Sequence, residues 1–242
     1  MKKRRNNRRK RVNINKQQLY GKIGMVVLVV LLVVLMMYQC VWKKTETSHL
    51  NLDASEPQID VQLLDINEYS RPGTASDPIT GIVIHYTANP GSTAQNNRDY
   101  FNGLQDGHGD YISSHFVVGM EGEIVQCVPT WEIAYASNGR NHDTVSIECC
   151  HPDETGKFTK ETYISIVRLT AYLCEKYQLT EKDVIRHYDV TGKNCPKYFV
   201  EHEDAWQTFL ADVAAALEAD ENKKGIKRGS ESYACGTGGN LL

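Results

Sequence analysis

Residues 81–86 read Gly-Ile-Val-Ile-His-Tyr, a short β-rich run without charge that predicts a buried strand. A histidine, His85, stands at its end. Asn89-Pro-Gly91 turns the chain immediately afterwards, and Ser92 is placed to cap a helix running to about Leu104. Working outward, residues 105–111 are rich in Gly and Asp and read as a loop. Residues 114–119 and 123–128 read as strands joined around Met120-Glu121-Gly122, a hairpin signal. Residues 144–150 form another strand. Thr159 caps a long helix whose apolar stripe is Tyr163, Ile166, Val167, Thr170, Leu173, Cys174 and Tyr177. Phe158 with Tyr163 fits a hydrophobic staple at its start. Residues 184–186 are a short strand and 204–217 a closing helix. Strands alternating with helices, with one hairpin among them, predict an α/β fold: a mixed central β-sheet flanked by helices.

Chemistry concentrates in two places. His85 ends the first strand. His187 follows another, in Ile185-Arg-His-Tyr-Asp-Val-Thr-Gly-Lys-Asn-Cys-Pro196, and Cys195 comes after it across a loop containing glycine. Two imidazoles and a thiolate suit Zn²⁺, and three protein ligands leave a fourth position open, as in a catalytic site. Spacing alone leaves this open. A histidine at a strand end is commonly packed or hydrogen-bonded, and a cysteine before proline is commonly core.

Four segments together resemble the type 2 N-acetylmuramoyl-L-alanine amidase family, whose fold is shared with peptidoglycan recognition proteins. They are Gly81-Ile-Val-Ile-His-Tyr-Thr87, Ser114-His-Phe-Val-Val118, Thr144-Val-Ser-Ile-Glu148 and Arg186 to Pro196. The resemblance runs from about Glu68 to Leu217. It implies zinc held by His85, His187 and Cys195, and hydrolysis of the amide between N-acetylmuramic acid and L-alanine in peptidoglycan. It also implies Glu148 as general base and Lys193 as the cation facing the oxyanion. Some relatives use a tyrosine just before the histidine of the second segment. That position is Ser114 here, so the chain fits the glutamate pattern. His115 is either a contact near the metal or a strand histidine with satisfied hydrogen bonds. Asn89, Trp131 and His142 are candidates for lining a glycan–peptide groove. A module of the same fold that binds peptidoglycan without cutting it is the alternative; loss of a ligand, above all the cysteine, would mark it, and all three are present. A zinc protease is disfavoured because no HExxH motif occurs.

The flanks set the expected location. Residues 1–22 hold ten of the 27 Lys/Arg and no acid, leaving 17 basic against 30 acidic residues in the rest. A basic head on an acidic body argues against nucleic acid as partner of the folded part. Residues 23–42, Ile-Gly-Met-Val-Val-Leu-Val-Val-Leu-Leu-Val-Val-Leu-Met-Met-Tyr-Gln-Cys-Val-Trp, carry no charge. At about 1.5 Å per residue they reach about 30 Å, one bilayer core. The run is longer than a signal-peptide core and lacks a small-residue cleavage site. Basic residues stay on the cytoplasmic side. The expected order is therefore a basic cytoplasmic head (1–22), a transmembrane anchor (23–42), a stalk (43–76), an extracytoplasmic catalytic domain (77–218) and a flexible tail (219–242), acting as a monomer at the cell membrane. The seven cysteines are odd in number and irregularly spaced, a poor disulfide framework. The adjacent Cys149 and Cys150 read as packing on opposite faces of a strand.

Overall fold

The computed structural model describes residues 52–107 and 109–225, together with 25, 27–34 and 36. Those last residues are helical, and their apolar side chains are exposed. Most of the expected span at 23–42 lies outside the described residues, as do residues 1–22 and 226–242. No helix among the described residues is long and apolar enough to cross a membrane.

From residue 52 onward the described chain forms one compact unit. Its sheet comprises β1 (Asp60–Val61), β2 (Gly81–Tyr86), β3 (Phe116–Val118), β4 (Ile124–Gln126), β5 (Thr144–Cys149) and β6 (Val184–Arg186). The strand order is β1-β4-β3-β5-β2-β6. β3, β5, β2 and β6 run parallel, β4 returns antiparallel beside β3, and β1 lies parallel to β4. The sheet is mixed, as its alternating pattern with a hairpin predicts. The central strands are buried along nearly their whole length because both of their faces are covered.

The helices supply those covers. α1 (Ala94–Gly103) places Ala94 and Phe101 against Val117, Val125 and Cys150. α2 (Lys160–Tyr177) packs on β2, β3 and β5 and against the closing helix. Two short helices, α3 (His187–Thr191) and α4 (Lys197–Glu201), follow β6, and α5 (Glu203–Lys224) closes the domain. Val117 stands opposite Glu148, and Glu148 opposite His85, so all three side chains share the α1 face of the sheet.

Several local expectations are corrected. Thr93, not Ser92, caps α1: its hydroxyl accepts from the Asn96 N–H in a capping box, while the Ser92 hydroxyl donates to the Asn89 carbonyl. Thr159 caps α2 as read, and Phe158 and Tyr163 meet the Phe199 and Phe209 rings, respectively, from the closing helices. Residues 52–76 of the expected stalk pack as part of the domain. Leu52, Ala54 and Leu64 are buried, Leu64 joins the α1-side core, and β1 extends the sheet at its edge. Arg71 and Glu132 clamp the following segment through two parallel N–H···O bonds. Its polar composition conceals an edge strand because only alternate side chains of such a strand need to be apolar. Residues 219–224, expected in the tail, belong to the closing helix. α5 continues to Lys224 and stops at Gly225, which takes the left-handed conformation at φ +68°. Glu218, Ala219, Glu221, Lys223 and Lys224 are good helix formers, Asp220 is buried, and Lys223 pairs with Asp53.

Candidate metal centre and active site

Parallel strands deliver their carboxyl ends to one edge of the sheet, where α/β folds gather ligand-binding groups. His85 lies at that end of β2, and Glu148 faces it from β5. β6 ends at Arg186, and the next residue, His187, opens α3. The local chain explains why it turns there. Asp189 accepts from the Arg186 backbone N–H at 2.8 Å and from its Nε and Nη2 at 3.1 and 2.9 Å. The Arg186 guanidinium also stacks over Tyr188 and Trp206 and donates to Glu203 and the Phe199 carbonyl. His187 is thus held by a rigid strand-to-helix corner. Gly192 then takes φ +78°, turning the chain back so that the Tyr188 N–H reaches the Cys195 carbonyl at 2.9 Å.

These elements bring His85, His187 and Cys195 together. One ligand atom from each lies within 4.8 Å of the others, and all three residues are buried. The imidazole centroids are 4.7 Å apart, and Cys195 Sγ stands 3.8 Å from His85 Nδ1. Sulfur and nitrogen on a tetrahedral zinc ion stand about 3.6 Å apart. The donor set and its spacing therefore fit Zn²⁺ with little movement.

The outer partners are already in place. His85 Nε2 lies 3.2 Å from Ser137 Oγ, and His187 Nε2 lies 2.8 Å from Asn138 Oδ1. Neither Ser137 nor Asn138 was singled out from the sequence. Each lies about fifty positions from its histidine, and a Ser-Asn-Gly stretch reads only as a turn.

The site resists positive charge on its histidines. Burial, the neighbouring His187 and Lys193 hold His85 well below the usual histidine range, and burial with Lys193 lowers His187. Both are neutral donors at pH 7, as metal ligation requires. Burial raises the Cys195 thiol to about 12, against the pull of the Tyr86 backbone N–H and Lys193. Burial also raises Glu148 to about 8, with Lys193 pulling the other way. The Glu148 side chain is 17% exposed, yet its Oε2 is fully covered and has no hydrogen-bond partner; its Oε1 lies 4.0 Å from His85 Nδ1. An orphaned carboxylate oxygen beside a ligand set is ready to hold a proton or bind a polar group. Lys193 is exposed on the loop before Cys195, and its charge is felt by both histidines, Glu148 and Cys195.

The remaining candidates separate. The His115 ring is satisfied on both sides: Nδ1 accepts from the Ser146 N–H at 3.0 Å, and Nε2 lies 2.9 Å from the Glu132 carbonyl. It is a histidine just before β3, locked by hydrogen bonds. Cys149 and Cys150 are fully buried, and burial raises both thiols, so they pack. Asn89 and His142 are exposed, and Trp131 is 67% exposed. An aromatic chain unseen in the sequence runs from Tyr69 through the exposed Tyr111 to Tyr135, with ring centroids 5.5 Å apart at each step.

Residues 75–198 match the family model described as N-acetylmuramoyl-L-alanine amidase. The chain is 35% identical to the N-acetylmuramoyl-L-alanine amidase CwlL of Bacillus licheniformis over 165 residues, covering 63% of this chain and 45% of that protein. It is 30% identical to the amidase BlyA of Bacillus subtilis (strain 168) over 180 residues, 66% of this chain and 47% of that one. The chain thus spans about half the length of the curated relatives it matches. Among solved structures, PlyL superposes with a TM-score of 0.57 at 22% identity, over 66% of this chain and 99% of that one, which shows the shared fold.

Proposed function

Since the chain belongs to the N-acetylmuramoyl-L-alanine amidase family, we propose that it is a zinc-dependent amidase of bacterial peptidoglycan, cutting the amide between N-acetylmuramic acid and L-alanine. The observation that carries this reading is the convergence of His85, His187 and Cys195 beside the orphaned Glu148 carboxylate. A binding-only module of the same fold has no use for a complete donor set next to a desolvated acid.

In this reading His85, His187 and Cys195 hold the zinc. The chemistry zinc supplies there is that of a Lewis acid, which lowers the pKa of water to about 7 and polarises the scissile carbonyl. Glu148 takes the proton of the attacking water on its carboxylate and returns it to the nitrogen of L-alanine as the amide breaks. Its position opposite His85 puts that carboxylate within reach of the metal edge. Lys193 stabilises the negative charge that develops on the carbonyl oxygen, and such preorganised charge commonly contributes several kcal/mol. The exposed ring of Tyr111 suits the apolar face of a sugar ring.

The apolar, uncharged residues 23–42 act as a single membrane anchor with the basic head inside, so the domain meets the wall from the outer side. The exposed apolar side chains of residues 27–34 suit a lipid environment.

Digested cell wall analysed by mass spectrometry tests the activity. New free amino termini on L-alanine are expected. Their absence with a zinc-loaded protein would leave only the binding module.

A further inference from the structure

We propose that the turn at residues 137–141 is a positioning device that holds the proton of both ligand imidazoles on Nε2, so that both present Nδ1 to the metal. This rests on the zinc reading above. The argument begins with His187, whose Nε2 lies 2.8 Å from Asn138 Oδ1. An amide oxygen only accepts, so the hydrogen of that bond is on Nε2, and a neutral imidazole then has its lone pair on Nδ1. His85 repeats the arrangement with the adjacent residue. Its Nε2 meets the buried Ser137 hydroxyl at 3.2 Å, while Nδ1 is the nitrogen facing Cys195 Sγ. Consecutive residues of one turn thereby address both rings.

The turn is built to stay in place. Asn141 Oδ1 accepts from the backbone N–H groups of Ala136 at 3.1 Å and Ser137 at 2.6 Å. The Arg140 N–H donates to the Ser137 carbonyl and the Asn141 N–H to the Asn138 carbonyl. The Thr144 hydroxyl donates to the Arg140 carbonyl, fastening the turn to the start of β5, the strand that carries Glu148. Asn138 sits at φ +52°, in the left-handed region that asparagine tolerates better than most residues with a side chain. The position thus calls for two properties at once, tolerance of positive φ and an acceptor on a short side chain. Partners of this kind commonly govern metal affinity by 10- to 100-fold.

Those two properties can be separated. Asn138→Gly keeps the backbone conformation and removes the acceptor; Asn138→Asp restores an acceptor; Ser137→Ala removes the other partner. The full chain is purified in detergent with zinc, and its affinity is measured by chelator competition. Asn138→Gly and Ser137→Ala are expected to weaken zinc binding by about 10- to 100-fold, with Asn138→Asp close to the unsubstituted chain. Long-range ¹H–¹⁵N spectra of the zinc-loaded chain are expected to show the ring proton of His85 and His187 on Nε2. Equal zinc affinity in Asn138→Gly, Ser137→Ala and the unsubstituted chain would overturn the inference while leaving the zinc reading intact. A proton on Nδ1 of either histidine would overturn it as well. A chain that takes up no zinc at all would overturn both.

Discussion

Glu148→Gln is expected to make the protein more stable and nearly inactive at the same time. The side chain keeps its shape, so the perturbation is the loss of an ionisable group. The folded protein raises the carboxyl from its ordinary 4.5 to about 8, through burial. An unfolded chain ionises near 4.5, whereas the folded metal-free protein holds its proton until about 8. The unfolded state therefore binds fewer protons across that window, and stability falls as pH rises. Below pH 4.5 the penalty is absent, and above about 8 it is constant. From 4.5 to 7, at about 1.4 kcal/mol per pH unit, it reaches about 3 kcal/mol. The buried glutamine amide also needs partners, so about 3 kcal/mol is an upper bound on the gain. Metal-free Glu148→Gln should melt several degrees above the unsubstituted chain at pH 7 and almost level with it at pH 4.5. Zinc-loaded Glu148→Gln should retain its metal while turnover of purified peptidoglycan falls on the order of 10²-fold or more. Calorimetry at both pH values and release of free L-alanine amino termini are the assays. Near-normal turnover with zinc bound would refute the assignment of the base. An unchanged melting difference between the two pH values would refute the desolvation argument.

His187→Ala and Cys195→Ala should each lose most of the bound zinc by elemental analysis, and full retention in both would sink the ligand assignment. His115 offers a test away from the metal. Burial lowers it to about 4, so the folded protein refuses a proton that the unfolded chain accepts near 6.5. The associated stability is present above 6.5 and is lost as pH falls toward 4, by about 3 kcal/mol; His115→Gln should flatten that part of the stability profile measured by urea titration. Leu64→Ala should cost about 2–5 kcal/mol, because Leu64 lies in the core with Phe101, Val117 and Val125; a cost below 1 kcal/mol would restore the stalk reading of residues 52–76. Protease added to intact spheroplasts should remove the domain and spare residues 1–22, and the opposite pattern would refute the proposed topology.

The sequence by itself determined the strand around Ile82–Ile84, the hairpin at Met120–Gly122, the cap at Thr159 and the donor types at His85, His187 and Cys195. Each is a local pattern. A run of β-branched residues, a glycine at a tight turn or a hydroxyl before a helix acts over a few positions, and one chain displays it directly. It did not reveal that residues 52–76 pack on the domain, or that α5 runs on to Lys224. Both depend on a few apolar or paired groups finding distant partners, as Leu64 does beside Val125 and Lys223 beside Asp53. The centre itself shows the same division. The residue types at His85, His187 and Cys195 were legible as candidate donors, whereas Ser137 and Asn138 were not, because nothing in a turn sequence states which histidine some fifty residues away it will meet. Only the parallel register, with β2 between β5 and β6, sets His85 against Glu148 and brings His187 alongside. Register follows from burying every strand face and pairing every backbone group at once, a condition on the whole sheet that no single segment contains.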